Sequence, residues 1–264
     1  MKTLQLPESV RYFVNQYFNL LLNGKKVRCP YYINIKKYRQ RMNLRVLIGK
    51  GSPEEIIQES LIFEKLRGVD FANMTVGDIR EFLVKRRLGI DCSGFVVQIL
   101  DYWLRSERKK HLWNYLEYPK QSLYRKIARI LRPVENIPAN YLSGDLNSEK
   151  ISDLNKILPG DIIRSKIPKR AKGLLDQFHV LLISEVVKDD NDTVVSFKYV
   201  HSTRFYRSEH GVRVGEVRIS DPSASLCSQE WIDALEGRNF TKEEICSAPD
   251  YSHVRRLIHV PLYQ

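Results

Sequence analysis

Residues 91–103 read Asp91-Cys92-Ser93-Gly94-Phe95-Val96-Val97-Gln98-Ile99-Leu100-Asp101-Tyr102-Trp103. Phe95, Val96, Ile99, Leu100 and Trp103 fall on one helical stripe, so the stretch predicts a helix with Cys92 in its first turn. Beyond Leu158-Pro159-Gly160-Asp161 the pattern turns strand-like, at Ile162–Arg164, Phe178–Val187, Val194–His201, Val212–Ile219 and Val254–Val260. Asp189-Asp190-Asn191-Asp192 supplies a polar turn between two of these runs. One helix followed by a set of antiparallel strands is an α+β pattern.

Upstream of Cys92 the chain reads as helices. Ser52-Pro53-Glu54-Glu55 places a hydroxyl at the N-cap, Pro in the first turn and Glu at the third position, which predicts a helix over 53–67. Thr75-Val76-Gly77-Asp78 is a weaker box opening a helix to Arg87, with Gly89 expected to stop it. Val10, Phe13, Val14, Tyr17, Phe18, Leu21 and Leu22 form a helical stripe over 8–22, followed by the turn or extended segment Cys29-Pro30-Tyr31-Tyr32. Downstream, an amphipathic helix over 120–131 sets Leu123, Ile127, Ile130 and Leu131 against Arg125, Lys126 and Arg129.

The chain has 264 residues, 43% hydrophobic and 28% charged, enough for a sizeable core and unlike a disordered chain. Its longest apolar runs are far short of a membrane span, and no secretory signal is recognisable at Met1–Phe13. The expected location is therefore cytoplasmic, with export by another route or release by lysis as alternatives. Residues 1–50 carry 11 bases and one acid, and 105–132 carry nine bases and two acids, so both blocks attract polyanions or form a solvated face. The four cysteines, Cys29, Cys92, Cys227 and Cys246, show no CxxC, so neither a disulfide framework nor a zinc finger is expected.

Three positions carry candidate chemistry. A cysteine at a helix start faces unsatisfied N–H groups and the positive end of the dipole, which favours thiolate and makes Cys92 a candidate nucleophile. Gly94 leaves room beside it, and the Cys92 N–H can serve an oxyanion hole. His179 begins one strand and His201 ends the next, so a hairpin would bring them together as base and orienter. Zinc binding by Cys92, His179 and His201 is geometrically conceivable, but the spacing does not call for it, and no metal or cofactor is expected. His111, His253 and His259 read as ordinary surface or strand residues.

DCSGFV at 91–96, LPGDII at 158–163, HVLLI at 179–183 and YVHST at 199–203 resemble, in order and context, the NlpC family of papain-like cysteine peptidases, which cut stem peptides of bacterial cell walls. The resemblance covers about 89–220. It implies Cys92 as nucleophile, His179 as general base and acid, His201 as the residue holding the imidazole tautomer, and Asp91 and Ser93 as substrate-binding cleft residues. Gly160-Asp161 matches a structural turn, and His210-Gly211-Val212 the start of the next strand. Two departures stand out: Cys92 and His179 are 87 positions apart, longer than usual for the family, and the aromatic motif normally close before the nucleophile is absent there. If the two helices after Cys29-Pro30-Tyr31-Tyr32 are an insertion, Tyr31 or Tyr32 can return to the cleft and aid the oxyanion hole.

The expected fold is thus α+β, a papain-like NlpC-type core with the nucleophile helix packed on an antiparallel sheet of about five strands. Residues 1–88 would form a basic helical extension and 89–264 the peptidase domain, with a basic helical insertion at about 105–157. The expected activity is hydrolysis of an amide bond in a cell-wall muropeptide. Acyl transfer or deamidation on the same fold, and a non-catalytic module binding nucleic acid or another anionic polymer, are the alternatives.

Overall fold

β1 (Lys2–Gln5) is followed after Pro7 by α1 (Glu8–Phe18), which buries Val10, Phe13, Val14 and Tyr17. The computed structural model describes residues 1–32, 45–120, 122–167 and 177–262, without the side chains of Arg125, Ile167 and Gln177. Lys36, Lys37, Arg39 and Arg41 of the first basic block lie outside the described residues. The helix expected to reach Leu22 ends at Phe18 instead: β2 (Leu20–Leu22) pairs with β3 (Lys25–Val27). Asn23 and Gly24 between them have φ of 47° and 79°, the left-handed pair that a two-residue hairpin turn requires, so turn chemistry prevails over the apolar stripe.

α2 (Pro53–Arg67) and α3 (Val76–Arg86) follow, both opened by the capping boxes legible in sequence, Ser52 with Glu55 and Thr75 with Asp78. Gly89 does not stop α3, because Arg87 itself turns left-handed at φ 59°. Gly89 serves a close approach: a Cβ there would lie 2.4 Å from the Pro30 carbonyl oxygen.

α4 (Cys92–Arg108) is buried on most of its circumference, with Phe95, Val96, Val97, Ile99 and Leu100 fully enclosed. Burial of each such side chain contributes about 1.5–3 kcal/mol. Next come α5 (Leu123–Leu131), α6 (Ala139–Leu142) and β4 (Ser148–Ile151), so the segment expected to be helical also supplies a strand. β5 (Ile162–Ile167), β6 (Gln177–Lys188), β7 (Val194–Thr203), β8 (Gly211–Arg218), β9 (Glu230–Trp231), α7 (Phe240–Ile245) and β10 (His253–Leu257) complete the chain.

The fold is mixed helix and sheet, with an antiparallel sheet in the order β4-β10-β5-β6-β7-β8-β9 and β1 added beside β6. Among the described residues it has eight strands rather than about five. The additional ones, β1, β4 and β9, are four, four and two residues long and lack a clear apolar alternation. β6 is the axis: β7 lines one edge, while β5 and then β1 share the other. Alternate residues of β6 enter different cores, Val180 and Leu182 toward α1 and α4, Leu181 and Ile183 toward Phe197, Tyr199 and Val217. That two-sided burial explains the unbroken apolar run Val180-Leu181-Leu182-Ile183. Among the described residues no helix is long and apolar enough to cross a membrane.

Cys227 and Cys246 form a disulfide with Cα atoms 5.6 Å apart, where the sequence led to no expectation of a disulfide framework; it ties the segment before β9 to the end of α7. A separation of 19 residues carries no pattern, and only the tertiary fold brings the pair together. Denatured, unreduced protein should release two titratable thiols and reduced protein four; four before reduction would contradict the pairing. The cross-link should contribute about 3 kcal/mol.

Candidate active site

The turn into α4 is built by Asp91. Its Oδ1 accepts the Gly94 N–H at 2.6 Å and so caps the helix, while its own N–H donates to the Gly49 carbonyl at 3.0 Å. A Cβ on Gly94 would lie 2.3 Å from that same carbonyl oxygen, so the Gly49 strand of chain fits only against glycine. On the other side, the Ser202 hydroxyl donates to the Ile90 carbonyl at 2.7 Å and fastens the turn to β7.

The Pro-Tyr segment returns to this turn. Ile90 N–H donates to the Pro30 carbonyl and Tyr32 N–H to the Ile90 carbonyl, each at 3.1 Å. α2 and α3 are therefore an excursion between two strands of chain that lie side by side. Alternation then separates the tyrosines. Tyr31 bridges to Ile90, next to Asp91, and its hydroxyl has its ionisation pushed well up, first by burial and then by the charges of Cys92 and Asp91. Tyr32 is buried against Gly49.

Cys92 is 7% exposed, and its sulfur rests on the backbone of β6 either side of His179: 4.0 Å from the Phe178 carbonyl oxygen and at the Val180 N–H. The helix start does not produce a resting thiolate as expected. Burial, followed by the negative charge of Asp91, pushes the thiol up to about 12 against the opposing pull of Lys50 and the backbone N–H groups of Val180 and Ser93. Desolvation outweighs the dipole because the sulfur is enclosed.

His179 on β6 and His201 on β7 meet directly, His179 Nε2 lying 3.0 Å from His201 Nδ1. The paired stretch of these strands ends at Leu182 and Val200, so the two histidines stand just beyond it, on one face, and side chains bridge where the backbone pairing stops. The His179 ring also packs against Phe205, with centroids 4.9 Å apart. The tautomers decide the chemistry. Only when His179 donates from Nε2 to His201 Nδ1 does His179 Nδ1 keep a lone pair for a substrate or thiol proton.

Both imidazoles are neutral at rest: burial and then His201 and Arg204 push His179 well down, and burial and then Arg213 push His201 down to about 3. The unfolded chain protonates these rings near pH 6.5, so as pH falls below that it binds more protons than the folded chain, down to about 3 for His201. Stability present above pH 6.5 should be lost as pH falls, by about 1.4 kcal/mol per pH unit for His201, with His179 adding a loss in the same direction. Urea unfolding from pH 7 to 5 should show that slope, and His179→Gln/His201→Gln should flatten it. An equal slope in the double variant would contradict the neutral pair.

Sequence reading missed Lys50, which stood only as one base in a charged block. It is 6% exposed, and its Nζ donates to Asp91 Oδ1 at 3.0 Å and to the Ser93 hydroxyl at 2.5 Å. Its carbonyl accepts the Gln98 amide at 2.7 Å, so the residue is fixed at both ends. Asp91 and Ser93 are thus tied to a cation of the chain itself. The one local signal was Gly49-Lys50-Gly51, a lysine between glycines immediately before the Ser52 cap.

The structure sets the Cys92 sulfur on the β6 backbone at Phe178 and Val180, joins His179 to His201, and ties Asp91 and Ser93 to Lys50 at the start of α4. Among the described residues no group of three or more His, Cys, Asp or Glu side chains is arranged to hold a metal ion. Compared with protein families, curated proteins and solved structures, the chain matches none of them.

Proposed function

We propose that this chain is a papain-like cysteine hydrolase that cuts an amide bond, with Cys92 as nucleophile, His179 as base and acid, and His201 as the group that orients it. The observation that carries the reading is the 3.0 Å contact of His179 Nε2 with His201 Nδ1, beside a sulfur seated on the backbone flanking His179. A nucleophile, a base and an orienter in sequence are what acyl transfer through a thiol requires.

The resting site is a neutral thiol beside a neutral imidazole, so proton transfer accompanies attack. His179 Nδ1 takes the Cys92 proton as the sulfur bonds to the carbonyl carbon, and the Nε2–H donated to His201 Nδ1 steadies the imidazolium that forms. The oxyanion is met by the Cys92 N–H, which at the first position of α4 has no intrahelical acceptor. Collapse breaks the C–N bond, the amine leaves with the proton from His179, and water hydrolyses the thioester by the reverse sequence. Resemblance supplies the substrate, a cell-wall stem peptide. The Cys227–Cys246 disulfide favours a compartment outside the reducing cytosol, where such peptides lie.

Tyr31 is the second oxyanion donor in this reading. Tyr31→Phe should lower kcat about a hundredfold with KM nearly unchanged, since the bond forms only to the charged intermediate. A rise in KM alone would assign Tyr31 to substrate binding. The function itself is tested by incubating the protein with purified wall peptides and identifying products by mass spectrometry, with Cys92→Ala alongside. Products from the parent only are expected; none from either, over a panel of stem peptides, would overturn the substrate class.

A further inference from the structure

α5 is built inside out. On a helical wheel Leu123, Tyr124, Ile127, Ile130 and Leu131 fall on one continuous arc, and in the folded chain that arc faces solvent, with exposures from 48% at Ile127 to 79% at Tyr124. The opposite side turns toward the protein: Ala128 and Arg129 are half-buried, and the Arg129 guanidinium lies 4.0 Å from the Tyr118 ring centroid. A water-facing helix in a soluble surface would have the reverse arrangement, since five exposed large apolar side chains in nine residues gain nothing from water.

Its setting is strongly basic. Residues 105–132 hold nine bases and two acids, and Lys120 and Lys126 are exposed beside the apolar arc. The occupant of this face must therefore offer an apolar phase bordered by negative charge. A second copy of the chain would bring two such basic segments together and be repelled. Nucleic acid and wall polymer would meet the charge but leave the aliphatic side chains in water. An anionic lipid bilayer meets both demands, with acyl chains for the arc and headgroups for the lysines.

We propose that α5 is an interfacial helix that docks this protein on an anionic lipid surface, lying in the headgroup plane with Leu123, Tyr124, Ile127, Ile130 and Leu131 inserted. The proposal is independent of the reaction at Cys92. One short helix gives reversible attachment, and the rest of the chain stays in water.

The experiment is sedimentation of the full chain with vesicles of phosphatidylcholine alone and of phosphatidylcholine with phosphatidylglycerol at about 3:1. Partition should be about tenfold or more stronger onto the anionic vesicles and should weaken as salt rises. Ile127→Ser/Ile130→Ser/Leu131→Ser and, separately, Lys120→Glu/Lys126→Glu should each lower it about tenfold, while thermal melting stays unchanged because these side chains are exposed in the fold. No partition onto anionic vesicles would overturn the proposal, whatever protein partner the face then served. Equal partition of the serine variant would also overturn it, as would self-association of the parent abolished by the same substitutions.

Discussion

Cys92→Ala should remove all measurable amide hydrolysis, a loss of about 10⁴-fold or more, and His179→Ala should come close to it. His201→Gln should fall only about a hundredfold, because an amide oxygen can still accept the His179 Nε2–H and hold the productive tautomer. The order of the three losses carries the assignment. In the proposed reaction the sulfur and His179 would handle the bonds and protons that change, whereas His201 would act through its 3.0 Å contact with His179. Initial rates on one soluble peptide, with circular dichroism to confirm folding, measure all three. A His179→Ala protein as active as the parent would mean another residue is the base.

Lys50→Met should destabilise the chain by about 3–5 kcal/mol, because Asp91 would be left without the ammonium now 3.0 Å from its Oδ1. Lys50→Met/Asp91→Asn should recover most of that loss, since asparagine still caps α4 and no buried charge is left unpaired. Denaturant unfolding measures the cycle, and a double variant no more stable than the single would contradict the ion-pair reading. Cys92 gives a second readout. With Asp91 uncompensated, the pH at which the thiol reacts with iodoacetamide should rise in Lys50→Met and return toward that of the parent in the double variant.

What was legible in the sequence was local. The boxes at Ser52 and Thr75 are closed within four residues, so α2 and α3 could be read directly. The five longer strands announced themselves by apolar runs, and the helix bearing Cys92 by its stripe. The hairpin at Asn23-Gly24 was also local, but the continuous apolar stripe through Leu22 masked it. The short strands β1, β4 and β9 were not legible, because their pairing depends on neighbours that only the fold supplies.

The site divides in the same way. Residue type and local setting single out Cys92, His179 and His201 as candidates, and the strand hairpin predicts that the histidines meet, as they do at 3.0 Å. Lys50 lies more than forty positions before the carboxylate it pairs with, and its only local mark is the pair of glycines on either side of it. The protonation of Cys92 was misjudged for a related reason. A helix start can be read from sequence, whereas the enclosure that pushes the thiol up to about 12 is a property of packing. The outward apolar face of α5 shows the converse: its amphipathicity was plain, and its direction was not.

The most direct test of the central claim is mass spectrometry of wall peptides cleaved by the protein in ¹⁸O-water. Attack by Cys92 followed by hydrolysis of the thioester predicts a new amine on one fragment and one ¹⁸O in the new carboxylate of the other, with neither formed by Cys92→Ala. Cleavage by the alanine variant at the parent's rate, or a new carboxylate free of ¹⁸O, would contradict thiol-mediated hydrolysis.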